Sequence, residues 1–337
     1  MQITPLDVHD QTQVHALFAL EQAVHAADAP DDPPPLRDPL VTMLRQEHPD
    51  VTVALTSAWV DDELAGYALL AMPTLDNRHL AQVIVRVDPR RRRRGVGSAL
   101  FEKMVNHAGS QQRTTLISRV TGPVPGGPPR GEAGARFAEA HGFSAALTNT
   151  QRRADLAATD ETAEQQLLDE CLPHAADYEI VTWNGLTPDR SAGGVAYLVN
   201  RVVTDAPMGD VDFEETQVDA QRLHAEERNA LERGTHLVGA AAVHRPTGEV
   251  AAFTRIDVRP PGDHGDIYLT VAHPKHRGHR LGTIVKIEVH RRVRREFPQL
   301  RLVHTGNADA NAHMVAINDR LGYRPYETSI TYQRKLD

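Results

Sequence analysis

Five consecutive arginines followed by two glycines form the first stretch of this 337-residue chain whose residue types could bind a ligand. The arginines are Arg90–Arg94, and the glycines are Gly95 and Gly97. An apolar, β-branched run over 83–87 precedes them, and apolar residues follow at helical spacing over 96–108. A helix start offers free N–H donors and a partial positive charge, arginines add full charges, and glycine lets a ligand approach the backbone. The stretch therefore predicts a strand, a basic turn and a helix that together bind a phosphate group.

A second copy of this unit lies in the other half of the chain. An apolar run over 267–272 leads into a proline and a basic, glycine-bearing turn, and apolar residues at helical spacing follow over 284–297. Three anchor positions keep a constant separation of 185 residues: Pro89 and Pro274, Arg92 and Arg277, and Gly97 and Gly282. A period of this length is too long for a solenoid and indicates a duplicated domain. The alternative for the arginine run alone is a solvated charge run.

The chain length fits two domains of ordinary size, each large enough to bury a core. We predict an N-terminal domain over 1–157, a linker helix over 158–175 and a C-terminal domain over 176–337. In each half, helical and strand-like segments alternate in the same order. The predicted fold class is mixed α/β, with two tandem domains.

The composition limits which partners and which cellular compartment we expect for this protein. The formal net charge is −8, so no global basic field favours nucleic acid or an anionic membrane. Cys171 is the single cysteine and suits a reducing compartment. The first thirty residues lack the pattern of a secretory signal, and no run of eighteen apolar residues occurs. We expect a soluble, cytoplasmic protein, monomeric or homodimeric, with no nucleic-acid or membrane partner.

The pattern R-x-x-G-x-G at Arg92–Gly97 resembles the coenzyme A pyrophosphate loop of the GNAT superfamily of N-acetyltransferases. A P-loop would instead need Gly-Lys-Ser/Thr at the end of its turn. The resemblance covers nearly the whole chain and implies two tandem GNAT domains, each with a mixed, mostly antiparallel sheet flanked by helices. It also implies that the cofactor is acetyl-CoA and that the acceptor is an amine on a small molecule or a peptide.

The resemblance assigns the coenzyme A contacts to the turns, the helix starts and the preceding strands. In the first half they are Val85, Arg86, Val87, Arg92, Arg93, Arg94, Gly95, Val96, Gly97 and Ser98. In the second half they are Thr270, Val271, Ala272, Arg277, Gly278, His279, Arg280, Leu281, Gly282 and Thr283. In the family, a backbone N–H on the strand polarises the thioester carbonyl, as in an oxyanion hole. Arg280 stands at the place of the middle glycine, where a side chain must find room.

The sequence gives only weak signals for the catalytic residues. The family's asparagine and tyrosine places fall on Gly131 and Ala138 in the first half, and alanine cannot protonate a leaving thiolate. They fall on Asn311 and Asn318 in the second half, where both side chains are polar.

Two further residues of the second half are candidate bases. Asp266 begins one predicted strand, and His304 lies near the end of the next. An ordinary turn carboxylate at 266 and a hydrogen-bonded strand histidine at 304 are the alternatives. We predict that the second half is the catalyst.

Three histidines in the second turn, His273, His276 and His279, do not have the spacing of a metal site, and no metal is predicted. The sequence favours an acetyl-CoA-dependent N-acyltransferase. A non-catalytic acyl-CoA-binding protein is the alternative, since both halves lack the tyrosine. A weaker alternative is nucleic-acid binding through Arg90–Arg94, which the net negative charge of the chain opposes. We expect acceptor specificity to depend on the loops at 28–39 and 204–217.

Overall fold

The computed structural model describes residues 1–46, 50–205, 209–308 and 310–336. The chain forms two compact units. The first unit contains Met1–Thr148, Met208–Glu214 and Glu327–Asp337, and the second contains Asn149–Pro207 and Glu215–Tyr326. The predicted acceptor loop at 204–217 falls partly outside the described residues, which omit 206–208.

The described residues of the first half of the chain form six strands and four helices. The strands are β1 Gln2–Pro5, β2 Val51–Val60, β3 Glu63–Pro73, β4 Leu80–Val87, β5 Thr115–Gly122 and β6 Ser144–Asp155. The helices are α1 Gln11–Asp28, α2 Arg37–Arg45, α3 Val96–Ser110 and α4 Ala133–Ala140.

The second half repeats this order after one additional helix. The strands are β7 Tyr178–Asn184, β8 His236–His244, β9 Val250–Arg259, β10 His264–Ala272, β11 Leu302–Ala308 and β12 Arg324–Lys335. The helices are α5 Glu161–Cys171, α6 Asp189–Asp205, α7 Ala220–Glu232, α8 Leu281–Glu296 and α9 Ala312–Arg320.

Each unit is built on a mixed sheet, as the sequence predicted. The strand order is β1-β2-β3-β4-β5-β12 in the first unit and β6-β11-β10-β9-β8-β7 in the second. Neighbouring strands run antiparallel except β4 with β5 and β10 with β11, which are parallel. Helices cover both faces: α3 and α1 pack on the first sheet, while α8 and α6 pack on the second.

The final strand of each half of the sequence lies in the other unit's sheet. Residues 328–335 of β12 pair with 115–122 of β5 in the first unit. Residues 149–155 of β6 pair with 302–308 of β11 in the second. The compact units therefore differ from the predicted domains 1–157 and 176–337. The local pattern of an edge strand is the same whichever sheet it joins, so the sequence did not reveal this exchange.

The predicted linker helix at 158–175 contains α5, and the apolar side of α5 lies in the second unit's core. Leu167, Leu168 and Cys171 of α5 are buried in the cluster that contains the inner face of α8. Glu164 is buried as well, and its carboxylate accepts hydrogen bonds from Arg291 and Arg294 of α8.

Several helices begin at a residue that the sequence marks. Asp10, Asp160 and Asp219 accept hydrogen bonds from first-turn N–H groups of α1, α5 and α7. None of the helices in the described residues is long and apolar enough to cross a membrane.

Candidate active site

The turn after β4 folds as the sequence predicted. A 3₁₀ turn at Pro89–Arg91 leads to Gly95, which has φ +82° and immediately precedes α3. Arg93 is also left-handed, with φ +61°. Val96, the first residue of α3, is buried in the first unit's core. The buried valine anchors the helix start, while the turn itself stays exposed to solvent.

The turn after β10 has the same backbone with glycine and arginine exchanged. Here Gly278 has φ +87° and Arg280 has φ +58°, and both are 185 residues beyond Arg93 and Gly95. Arg280 is exposed and directly precedes α8. An arginine with left-handed backbone angles is about 1 kcal/mol less stable than a glycine at the same place. The side chain of Arg280, however, has room in solvent. The missing middle glycine therefore does not prevent this turn from forming.

Both turns leave the start of a long helix accessible to an anion. Neither α3 nor α8 has a side chain that caps its N-terminus. A Cβ built on Gly95 or Gly278 would have no atom within 4 Å, so the space in front of each backbone is open. The first N–H groups of a helix lack intrahelical partners. The residues present therefore fit a diphosphate group at either helix start.

The arginines of the first turn differ in their partners. Arg92 forms two hydrogen bonds of 2.7 Å with the Asp28 carboxylate and a third, of 3.2 Å, with the Val87 carbonyl. Arg93 and Arg94 are exposed, and no ion pair holds them among the described residues. Arg92 therefore links the turn to the end of α1, while Arg93 and Arg94 are available to a ligand.

A carboxylate and two histidines hold the second turn. His273 and His276 are buried, and their Nε2 atoms lie 3.2 Å and 3.1 Å from the two Glu249 oxygens. The hydrogen bond from His276 is the main cause of the lowered pKa of Glu249. Potential ligand atoms of these three residues lie within 4.8 Å of one another, a grouping compact enough for a metal ion. The Lys275 N–H donates to His273 Nδ1, so the neutral ring carries its proton on Nε2, which lies 3.2 Å from the Glu249 carboxylate.

Two predicted bases meet where β10 and β11 separate. These parallel strands pair at three positions, of which Asp266 with His304 is the last. The strands of the first unit also pair at three positions, and the last pair there is Gln82 with Ile117. The two units thus share one geometry at the separation point, but only the second has a carboxylate and an imidazole there.

The two side chains at this point have different environments. Asp266 pairs with Arg259 and keeps 30% of its side chain exposed. The Nε2 atom of His304 is buried without a hydrogen-bond partner among the described residues. Burial is the main cause that lowers the pKa of His304, to about 4, so the ring is neutral at neutral pH.

The backbone of β10 is irregular just beyond this pair. The register with β9 shifts between Ile267 and Leu269, so Tyr268 is an extra residue in the strand. Thr270–Ala272 still pair with β9 on one side. On the side of β11, the described residues provide no strand partner beyond Asp266. Predicted contacts Thr270, Val271 and Ala272 therefore lie on a free strand edge, and Val85–Val87 of β4 lie on the corresponding one.

The two predicted asparagines, Asn311 and Asn318, lie at different places in the structure. Asn311 caps α9, with its Oδ1 accepting the Met314 N–H at 3.2 Å. Asn318 is fully buried; its Oδ1 accepts a 2.5 Å hydrogen bond from Lys286 Nζ, and its Nδ2 donates to Asn307 Oδ1 at 3.0 Å. In the first unit, Ala138 is buried in the core. The structure thus brings Asp266 and His304 together but does not bring Asn311 into their hydrogen-bonded contacts.

Comparison with known proteins agrees with this geometry. The model of the acetyltransferase (GNAT) family matches residues 15–122. A tandem GNAT protein from the clavulanic acid biosynthesis pathway is 30% identical in sequence. Its structure superimposes with a TM-score of 0.83, covering 99% of this chain and 98% of that one. The chain belongs to the GNAT family of acetyltransferases.

Other GNAT relatives extend the comparison. Mycothiol acetyltransferase from Saccharomonospora viridis is 28% identical over 279 residues, which is 80% of this chain and 79% of that protein. A GCN5-related N-acetyltransferase from Sphaerobacter thermophilus is 14% identical, with a TM-score of 0.65 over 99% of this chain and 95% of that one. This second likeness shows the GNAT fold alone.

Sequence reasoning missed two side chains of the second GNAT unit. Lys286 lies inside the helical run after the turn, where a lysine is ordinarily solvated. Glu249 belongs to the preceding hairpin and meets the turn only in the fold. Alignment of the two halves would have marked Lys286, since Phe101 occupies the position 185 residues earlier.

Proposed function

We propose that this protein transfers the acetyl group of acetyl-CoA to an amine on a small molecule or a peptide, with catalysis in the second unit. The observation that carries the proposal is the pair Asp266 and His304 at the separation of β10 and β11. The first unit has Gln82 and Ile117 at that place, and neither serves as a base near neutral pH.

Acetyl-CoA would supply a thioester whose carbonyl carbon the amine attacks. Exposed Arg93, Arg94 and the start of α3 would bind the diphosphate in the first unit. Arg280 and the start of α8 would bind it in the second. The free edge of β10 would accept the extended arm of the cofactor as an added strand. A backbone N–H on this edge would stabilise the developing oxyanion.

The acceptor would approach Asp266 from the face of the sheet that carries α6 and α7. Asp266 is opposite Asp257, whose carboxylate binds Arg255 on this face. As the carbon–nitrogen bond forms, the amine nitrogen becomes positive and its proton becomes acidic, so the Asp266 carboxylate can accept it. His304 stays neutral beside it and can accept a hydrogen bond.

The experiment measures free-thiol release from acetyl-CoA against a broad panel of amines. Asp266→Asn is expected to lower turnover at least tenfold, the effect of losing about 1.4 kcal/mol of transition-state stabilisation. Gln82→Ala, at the matching place of the first unit, is the control and should change turnover less than about twofold.

Three results would contradict this proposal. Loss of turnover in Gln82→Ala but not in Asp266→Asn would place catalysis in the first unit. Full turnover in both variants would remove Asp266 from the mechanism. A melting temperature that rises with acetyl-CoA, without acetylation of any amine in the panel, would favour the non-catalytic acyl-CoA-binding protein.

A further inference from the structure

Five positions that are buried in the second unit are polar there and apolar in the first. The polar residues are Asn307, Lys286, His290, Asn318 and Tyr323, and the matching apolar residues are Val120, Phe101, Val105, Ala138 and Phe143. Three relationships define the match. The helices α3 and α8 begin 185 residues apart, the left-handed glycines Gly142 and Gly322 are 180 apart, and Thr115 and Leu302 take the same place in the parallel pairs.

The polar residues form two hydrogen-bonded groups, which the contact of Lys286 with the Tyr323 ring joins. Lys286 is completely buried, and its Nζ lies 2.5 Å from Asn318 Oδ1 and 4.6 Å from the centre of the Tyr323 ring. The Tyr323 hydroxyl lies 2.8 Å from His290 Nε2. Among the described residues, no carboxylate forms an ion pair with Lys286. Its ammonium group therefore depends on one amide oxygen and one aromatic face.

The fold itself does not require these groups. In the first unit, the Phe101 and Phe143 rings lie 5.7 Å apart at the places of Lys286 and Tyr323, inside an apolar core. Burial of an ammonium without a carboxylate is unfavourable. At these positions the second unit therefore has an energetically unfavourable polar arrangement, whereas the first unit has a stable apolar one. This difference points to a role in catalysis rather than in folding.

The lysine determines the orientation of Asn318. An ammonium group can only donate hydrogen bonds, so the side-chain atom of Asn318 that faces it must be the oxygen. The Asn318 nitrogen then points to Asn307 Oδ1, 3.0 Å away. One of its two N–H groups is used there, and the other has no partner among the described residues.

This amide lies beside the opening between the strands. Asn307 is three residues beyond His304 on β11, where the strand no longer pairs with β10. Asn307 and His304 differ in position by an odd number, so they face opposite sides of the sheet. The acceptor would thus meet Asp266 and His304 on one face, and the free N–H of Asn318 lies on the other.

We propose that Lys286 is a positioning residue that directs the Asn318 amide nitrogen toward the leaving sulfur and stabilises the thiolate through its positive charge. This inference rests on the proposed function. In the step, the carbon–sulfur bond breaks and its electron pair goes to sulfur, which accepts a hydrogen bond from Asn318. The amine proton goes to Asp266, so no oxidant or further reactant is needed.

The environment of Lys286 makes its charge sensitive to pH. Burial lowers the pKa of Lys286 to about 7. The titratable groups that face it are His290 and Tyr323, and burial lowers the pKa of the first and raises that of the second. Asp266 also acts on Tyr323 through its charge.

The first test is kinetic and uses the full-length protein. Lys286→Met is expected to lower kcat about tenfold and to change the KM for acetyl-CoA less than about twofold. The decrease of the wild-type rate as pH rises past about 7 should disappear in this variant. Asn318→Ala should lose a similar factor, and the double variant should lose no more than either single one, because the lysine acts through the amide. Phe101→Met, at the same place in the first unit, is the control and should keep wild-type kcat.

The second test does not depend on turnover. The thiol pKa of bound coenzyme A, followed by thiolate absorbance, is expected to be lower in the wild type than in Lys286→Met or Asn318→Ala. This result without acetylation of any amine would support the thiolate role and reject the proposed function. Equal thiol pKa values in all three proteins would overturn the inference. A lower melting temperature in Lys286→Met with unchanged kcat and pH profile would also overturn it, since that is the behaviour of a structural residue.

Discussion

A Cβ atom at Gly97 would lie 3.0 Å from the Phe137 ring, whereas a Cβ atom at Gly282 would lie 3.8 Å from Ile317. The two pairs take equivalent places where the helix after each turn meets the helix that follows the next strand. We expect Gly97→Ala to lower the free energy of unfolding by about 1 kcal/mol or more, because Phe137 must move. Gly282→Ala should change it by less than about 0.5 kcal/mol. Urea denaturation measures the free energy of unfolding of both variants. Equal losses would show that Gly97 is not more tightly packed than Gly282.

The exposed arginines of the first turn should bind acetyl-CoA without stabilising the free protein. The double variant Arg93→Ala, Arg94→Ala is expected to keep the melting temperature of the free protein and to reduce the increase caused by acetyl-CoA. Charge-assisted contacts of about 1.5–3 kcal/mol each make this loss visible. Arg92→Ala is the matched comparison and should lower the melting temperature of the free protein, because Arg92 binds Asp28. An unchanged acetyl-CoA effect, with loss of duplex DNA binding, would instead favour nucleic-acid binding.

The partly buried imidazole of His304 should make stability depend on pH. Its pKa is about 4 in the folded protein and about 6.5 in the unfolded chain. Between these values the unfolded state binds the proton and the folded state does not, so stability decreases as pH falls from about 6.5 to about 4. The loss is about 1.4 kcal/mol per pH unit and does not increase below the folded pKa.

Urea denaturation of wild type and His304→Phe over this range tests the pH effect. The difference in unfolding free energy between the two proteins should move in favour of the variant as pH falls. His9→Phe is a control, because His9 is exposed. Parallel curves for wild type and His304→Phe would show that the folded protein admits the proton at His304.

The contact of Glu249 with His273 and His276 should stabilise the second turn through hydrogen bonds rather than through a metal. Glu249→Gln is expected to lower the melting temperature and weaken acetyl-CoA binding. Stoichiometric Zn²⁺ should not raise the melting temperature of the wild type, because the neutral His273 ring carries its proton on Nε2, the nitrogen that faces Glu249. A zinc-dependent increase that disappears in Glu249→Gln would overturn this view and identify a metal site.

The exchange of β6 and β12 predicts that the two halves of the sequence do not fold alone. A fragment over 1–157 lacks the strand that pairs with β5, and one over 158–337, which keeps α5, lacks the strand that pairs with β11. Each fragment would expose an unpaired sheet edge and should aggregate or unfold, as followed by circular dichroism and light scattering. The two fragments expressed together are the control and should yield folded protein. Independent folding of either fragment would contradict the exchange.

Local sequence was sufficient for the elements that carry the two turns. The strand, turn and helix of each depend on neighbouring residues, such as the buried Val96 after left-handed Gly95, and these effects act within a few positions. Equal spacing in the two halves then predicted the duplication, and the resemblance to the GNAT family implied the mixed sheets. The choice of Asp266 and His304 as candidate bases also came from sequence, but only as separate residues.

Tertiary structure decided the relationships that depend on pairing over long separations. The contact of Asp266 with His304 follows from the register of two parallel strands, which no local pattern encodes. The partner sheets of β6 and β12 have the same origin. The buried state of Lys286 was not apparent either, because a lysine within a helical run is normally solvated and only the packing of Tyr323 and Asn318 around it excludes water.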